Sequence, residues 1–384
     1  MINIAKEKCN GCGACYNKCA YSAIKMEADI EGFLYPKVDN LLCIECNQCI
    51  NSCPILSGSI SANNVSEAYA AQALDTDIRL KSSSGGIFTL LSNVVLELNG
   101  IVIGAGFNDE FYLEHLIIDK KENLNILRGS KYIQSDINLA YRECQKYLES
   151  NKLVLFSGLP CQIAGLIKYL NKDYDNLYSI DFVCHGVPSP KVWKKYKTFV
   201  ENKIGSFENV SFRDKENSWE HYNLKCIGEN NVRTKSLYDD EYLKIFLGDL
   251  SLRLSCYECQ FKSISHISDL TLGDFWGIST VLPNYDDKIG TSMVIVQSRK
   301  GYDLFSKIFD LIKSQEIAIE KLVKLNPAIE ESAKMPINRG EFFKDLDRLD
   351  FNALSKKYPK ISMEQKMRKA LFNCIVKVKQ KLHK

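Results

Sequence analysis

Residues 9–19 read Cys9-Asn10-Gly11-Cys12-Gly13-Ala14-Cys15-Tyr16-Asn17-Lys18-Cys19, and residues 43–54 repeat the spacing as Cys43-Ile44-Glu45-Cys46-Asn47-Gln48-Cys49-Ile50-Asn51-Ser52-Cys53-Pro54. Each run is Cys-x2-Cys-x2-Cys-x3-Cys. A cubane iron–sulfur cluster needs four thiolates converging on its corners, and two-residue gaps let one tight loop supply three of them. The fourth must come from elsewhere, because so short a loop does not enclose its own cluster. Zinc also accepts Cys-x2-Cys, but it takes ligands in pairs rather than in two runs of four.

Residues 3–56 resemble the bacterial two-cluster ferredoxin module. In such modules each run gives three ligands to one cluster and its last cysteine to the other. Carried onto this chain, Cys9, Cys12, Cys15 and Cys53 hold one 4Fe-4S cluster, and Cys43, Cys46, Cys49 and Cys19 hold the second. Ala20 replaces the proline that follows the fourth cysteine, whereas Pro54 keeps it in the second run. That proline stiffens a loop and ligates nothing.

The whole sequence sets the frame around this module. At 384 residues it exceeds the roughly 250–300 at which one core stops growing, so more than one domain is expected. Fifty basic against 47 acidic residues leave a net +3, too balanced for a chain-wide nucleic-acid footprint. No apolar run approaches the roughly 18 residues of a membrane-spanning helix. Met1-Ile2-Asn3-Ile4-Ala5-Lys6 runs straight into the cysteines and leaves no room for a signal peptide. Fifteen cysteines, an odd number in a long chain, suggest metal ligands rather than disulfides. These features together point to a cytoplasmic protein.

Residues 57–64 read as a polar linker. Beyond it, strand-like segments at 68–74, 101–107, 153–156, 177–183 and 292–297 alternate with helical spacing at 86–98, 162–170, 192–202 and 301–312. Such alternation predicts a largely parallel sheet with helices on its faces. The division expected is 1–56, 67–325 and 326–384, the last a helical, basic segment. Met363, Met367, Leu371, Cys374, Val378 and Leu382 line one helical face there, with lysines and arginines on the rest. This reads as a docked tail with a solvated face, which also offers contact to a partner or a membrane surface.

Four further cysteines stand at strand ends or in a paired loop: Cys161, Cys184 and Cys256-x2-Cys259. By spacing alone they suit a third tetrahedral thiolate site for an iron–sulfur cluster or zinc. Cys144, Cys226 and Cys374 lack such a setting and read as inert. Three loops suggest an anionic cofactor. Ser82-Ser83-Ser84-Gly85-Gly86 opens a helix, where phosphate binds well. Residues 128–135 combine Arg128, Ser130, Lys131, Tyr132 and Gln134. Leu272-Gly273-Asp274-Phe275-Trp276-Gly277 lets backbone and aromatics approach something flat.

With Pro160-Cys161-Gln162, Asp181-Phe182-Val183-Cys184-His185-Gly186-Val187-Pro188-Ser189, Cys256-Tyr257-Glu258-Cys259 and Ser268–Gly277, these loops in their order resemble the coenzyme F420 hydrogenase/dehydrogenase beta-subunit family over residues 1–325. The resemblance implies an α+β ferredoxin-like module with two 4Fe-4S clusters, followed by an α/β flavin-binding domain and the helical C-terminal segment. It implies FAD on Ser83, Ser84, Gly85, Gly86, Arg128, Ser130, Lys131, Tyr132, Gln134, Gly158, Pro160, Gly273 and Asp274. It also implies a third 4Fe-4S cluster on Cys161, Cys184, Cys256 and Cys259. His185 is the candidate proton donor near the flavin, with His221 a weaker one. The expected function is an iron–sulfur flavoprotein oxidoreductase that takes electrons from a low-potential donor such as ferredoxin and reduces, or oxidises, a small organic substrate. The competing reading is an electron-transfer subunit of a larger hydrogenase or dehydrogenase complex with no substrate of its own.

Overall fold

In the computed structural model, which describes residues 1–58, 62–63, 67–216 and 218–358, the duplicated cysteine runs are related loops with matching backbone turns. Gly11 and Gly13 take positive φ (67° and 73°), and the equivalent Glu45 and Asn47 do the same at 55° and 57°. These left-handed residues curl each run, at no steric cost for glycine and at some cost for Glu45. Short helices Ala14–Lys18 and Gln48–Asn51 follow the loops. Between the runs lies an antiparallel hairpin of β1 (Ile24–Ala28) and β2 (Leu34–Val38).

The rest of the chain centres on one eight-stranded sheet. Its strands are β3 (Glu67–Ala73), β4 (Ile101–Phe107), β5 (Leu113–Ile118), β6 (Val154–Gly158), β7 (Leu177–Phe182), β11 (Leu270–Asp274), β12 (Ser292–Val296) and β13 (Ile312–Glu316), in the order β13-β3-β12-β11-β7-β6-β4-β5. The expectation of a largely parallel sheet needs correction. Only β4, β6, β7 and β11 run parallel to their neighbours in the middle, and the pairs on both flanks are antiparallel. The connection from β4 to β5 spans residues 108–112, too short for a crossover, so it folds back as a hairpin. The helical spacing read over 301–312 ends at Ser306, and Ile312 begins β13 instead.

A second antiparallel sheet of β8 (Phe207–Asp214), β9 (Asn223–Gly228) and β10 (Val232–Ser236) was not foreseen. Its inner face joins Trp193, Tyr196 and Val200 of the helix Pro190–Ile204 and Tyr242 and Leu243 of the helix Glu241–Leu247 in one core. Phe342, Leu346, Phe351 and Leu354 of the helices Arg339–Arg348 and Phe351–Lys357 enter the same core, as does Phe33 of the cysteine-rich module. The basic helix expected over 363–382 lies outside the described residues. Among the described residues no helix is long and apolar enough to cross a membrane.

The module is tied down by polar contacts. Arg142 donates from Nε to the Asn17 carbonyl at 2.6 Å and from Nη2 to the Cys19 carbonyl at 2.7 Å. Buried Arg339 makes a two-pronged ion pair with Glu31 at 2.6 and 2.8 Å. Forked charge-assisted contacts of this kind fix orientation as well as attraction.

Candidate functional site

Three cavities are each lined by four of the sequence-identified cysteines. Cys9, Cys12, Cys15 and Cys53 line the first, and Cys19, Cys43, Cys46 and Cys49 line the second. Cys161, Cys184, Cys256 and Cys259 line the third. The parallel pair β6 and β7 brings its carboxyl ends to one side. Cys161 therefore enters in the first turn of the helix Pro160–Leu170, close to Cys184 just beyond β7. Ligands gather at such strand ends in α/β sheets. Gly165, one turn after Cys161, faces the module: a Cβ there would lie 3.0 Å from Cys12 Sγ. Cys144 and Cys226 are buried in packed cores away from these cavities.

Burial pushes the Cys12 and Cys184 thiols up to about 12 and Cys256 to about 11. Four thiols in such a place stay neutral unless a strongly positive centre makes them thiolates. Among the described residues, no three His, Cys, Asp or Glu side chains converge closely enough to hold a single metal ion. Each set of four thiols instead lines one cavity, a donor set that suits a polynuclear cluster.

Beside the third cavity opens a cleft of about 550 Å³, within the range of roughly 300–1,000 Å³ usual for ligand sites. Ser83, Ser84, Gly86, Arg128, Ser130, Lys131, Tyr132, Gly158, Gly273 and Asp274 all line it. So does the start of the helix Ile87–Glu97, which has neither a side-chain cap nor an acid in its first turn. A helix start of this kind suits an anion. Arg128 Nε is buried with no hydrogen-bond partner among the described residues, while Nη2 holds the Ile78 carbonyl at 2.8 Å. Tyr132 stacks on Phe246 at 4.7 Å, and Trp276 stacks on Trp219 at 5.1 Å. The donor set therefore fits a large cofactor with an anionic part and a flat part.

Several expectations change in detail. Gly85 does not line the cleft; it packs behind it, where a Cβ would strike the Ala71 carbonyl at 2.2 Å. Gln134 links two other segments, donating to the Asn10 carbonyl and accepting from Arg253, each at 3.0 Å. Pro160 lines the third cysteine cavity. Lys131 spends its ammonium on the carbonyls of Leu127, Arg128 and Gly129, and burial lowers it to about 7. It shapes its own loop and offers little free charge. Ser83 accepts from the Ser130 N–H at 2.6 Å, and Ser84 donates to the Thr291 carbonyl at 2.6 Å, so both hydroxyls pin loops together. His185 lines both the cleft and the third cavity, with Nε2 2.5 Å from Asp249 Oδ1. His221 contacts Tyr238 at 3.1 Å.

Other residues of the site carry no motif. Arg213 is buried, pairs with Asp274 at 2.7 Å and lies over Tyr222 at 4.2 Å. Lys215 gathers the carbonyls of Arg79, Ser84 and Ile289. Beside the third cavity, His266 contacts fully buried Asp181, which also accepts from Thr271 at 2.6 Å. An isolated arginine or aspartate in sequence gives no sign of such a partner, which arrives from a different strand.

His115 lies under the cleft floor, stacked on Phe156, with Nε2 3.2 Å from the Ser157 carbonyl. Burial lowers its pKa to about 4, so the folded state prefers the neutral ring. Its contribution is complete above about 6.5 and is lost as pH falls toward 4, at a cost of about 3 kcal/mol. Urea unfolding at stepped pH should show His115→Gln with a shallower loss than the parent over that window. Parallel curves would mean that His115 is not the titrating group.

Comparison with known proteins matches two segments of the chain. Residues 151–324 match the family described as the C terminus of the coenzyme F420 hydrogenase/dehydrogenase beta subunit, and residues 8–56 match the 4Fe-4S dicluster domain. No curated protein matches. Among solved structures, a chain from the xenon-derivatised F420-reducing NiFe hydrogenase complex of Methanosarcina barkeri is 18% identical, with 70% of this chain and 90% of that one covered and a TM-score of 0.49. A 4Fe-4S dicluster domain thus precedes, in one chain, a segment that matches the coenzyme F420 hydrogenase/dehydrogenase beta-subunit family.

Proposed function

We propose that the chain is an iron–sulfur flavoprotein oxidoreductase that binds three 4Fe-4S clusters and FAD and acts on a small organic substrate. The observation that carries this reading is a shared wall: Val183, Cys184, His185, Gly186 and Val187 line both the third cysteine cavity and the large cleft. Cys9, Cys12, Cys15 and Cys53 would hold the first cluster, and Cys19, Cys43, Cys46 and Cys49 the second. Cys161, Cys184, Cys256 and Cys259 would hold the third. The duplicated four-cysteine runs, each with its cysteines lining a cavity, favour cubanes over zinc, which takes its ligands in pairs. When bound, such clusters supply single electrons, and a flavin joins them to two-electron chemistry.

The residues of the chain divide the remaining work. The N–H groups opening the helix Ile87–Glu97 and the Arg128 guanidinium would neutralise a pyrophosphate. Tyr132 and Trp276 would flank a flat ring system, and Gly158 and Gly273 would admit it closely. His185, oriented by Asp249, is placed to hold a proton where the cleft meets the third cavity. We assign residues 1–56 to the dicluster module, 67–325 to the flavin-binding domain and 326–384 to a C-terminal segment. Electrons would come from a low-potential carrier at the second cavity, where Tyr21 and Ile44 are exposed beside Cys46.

Anaerobically reconstituted protein should contain about twelve iron and twelve sulfide per chain, four per cubane. Acid release should yield one FAD. About eight iron would remove the third cluster, and zinc in place of iron would overturn the reading.

A further inference from the structure

Arg253 is completely buried, and its guanidinium has no acidic partner among the described residues. Its Nε donates to the Cys9 carbonyl at 2.7 Å, Nη1 to Gln134 Oε1 at 3.0 Å and Nη2 to the Leu34 carbonyl at 2.9 Å. The ring of Tyr35 lies 4.2 Å from its centre. The acids near this corner are committed elsewhere, Asp29 to Lys6 at 2.7 Å and Glu31 to Arg339 at 2.6 Å. A buried cation held only by neutral groups is costly unless a negative charge lies close by.

The groups able to carry that charge are on the sulfur side. Nη2 also reaches Cys9 Sγ at 3.7 Å. The field of the guanidinium extends to Cys12 in the first cavity and to Cys256 in the third. Asn10, beside Cys9, lines both cavities. The same chain segment carries Arg253 and Cys256, since the Cys256 N–H donates to the Arg253 carbonyl at 2.9 Å.

We propose that Arg253 is the shared counter-cation of the first and third cysteine sets, a positioning residue that raises the reduction potentials of the clusters they hold while leaving the second set untouched. The inference rests on the three-cluster reading above. Reduction adds one negative charge to a cluster, and a fixed cation in a low-dielectric setting stabilises that added charge. A hydrogen bond to a ligand sulfur acts in the same direction. No electron or proton is supplied by the arginine itself.

The test uses the full chain, reconstituted anaerobically, with each potential read by EPR-monitored redox titration. Arg253→Met should lower the first and third potentials by at least about tenfold in equilibrium constant, 59 mV for one electron, and leave the second in place. Arg253→Lys, which keeps the charge but not the fork, should fall between parent and Met. Equal shifts at all three clusters, or no shift with iron still near twelve, would overturn the proposal. If the Met chain fails to hold iron, the Lys chain decides. Full iron with the first and third potentials modestly lowered supports the proposal, and lost iron or unmoved potentials there reject it. A parent chain with eight iron atoms fails the three-cluster reading instead, and the shift at the first cluster still tests the arginine.

Discussion

Cys161→Ser is expected to lower the iron content from about twelve to about eight per chain, with FAD still bound at one per chain. Cys161 sits in the first turn of the helix Pro160–Leu170 and lines the cavity that lies against both the first cysteine set and the cleft. Its hydroxyl replacement is a poor ligand for iron, and a cubane with three thiolates in a buried cavity is readily lost. Flavin retention follows from the separate lining: Arg128, Tyr132, Gly158 and Gly273 line the cleft and take no part in the third cavity. Even residues behind a ligand alter metal affinity or activity by about 10–100-fold, so donor-driven turnover should fall at least about 100-fold. Iron that stays at twelve would show that Cys161 is a bystander. Iron at eight with full turnover would show that the third cavity is off the electron route.

Arg213→Met should destabilise the protein by about 2–4 kcal/mol, because it leaves the half-buried Asp274 carboxylate on the cleft wall and two further hydrogen-bond partners without the buried guanidinium. The Arg213 side chain is buried and holds Asp274 at 2.7 Å, the Trp219 carbonyl at 3.0 Å and the Tyr132 hydroxyl at 3.2 Å. Burial would lower its pKa, but Asp274 and the neighbouring Tyr132 and Tyr222 hold it above the ordinary arginine value. Thermal unfolding should shift down by about 3–5 °C. Arg213→Met with Asp274→Leu should recover part of the loss, since the second change removes the unpaired acid. Flavin affinity should fall in the single variant, as Asp274, Tyr132 and Trp276 all line the cleft. A midpoint within about 1 °C of the parent would mean that the pair is solvated and unimportant.

The duplicated cysteine runs are legible because the spacing of thiols around a cluster is local. Their backbone turns recur at the same offsets, even though the second run uses Glu45 and Asn47 where the first uses glycine. The strand cores at 101–107 and 292–296 are legible for a similar reason, as short buried runs of branched residues. Residues 207–236 were less readable, because register shifts between Phe207 and Asn209 and between Ser211 and Asp214 break the alternation that marks a half-buried strand. The direction of each strand was not local at all. The return of β13 onto β3, for example, depends on which edge is free when that strand docks.

The kinds of residue that could meet a cluster or an anion were therefore set by the chain itself, through cysteine spacing, helix starts and glycine loops. Which of them meet was decided by packing. Gly85 and Lys131 look like binding residues in sequence, but close approach of Ala71 confines the first to the fold, and three carbonyls claim the second. Arg213 and Arg253 look like surface charges, yet both are buried beside partners 61 and 244 residues away. A buried charge is costly wherever it lies, so its place is determined only when the whole fold has delivered the groups that offset it.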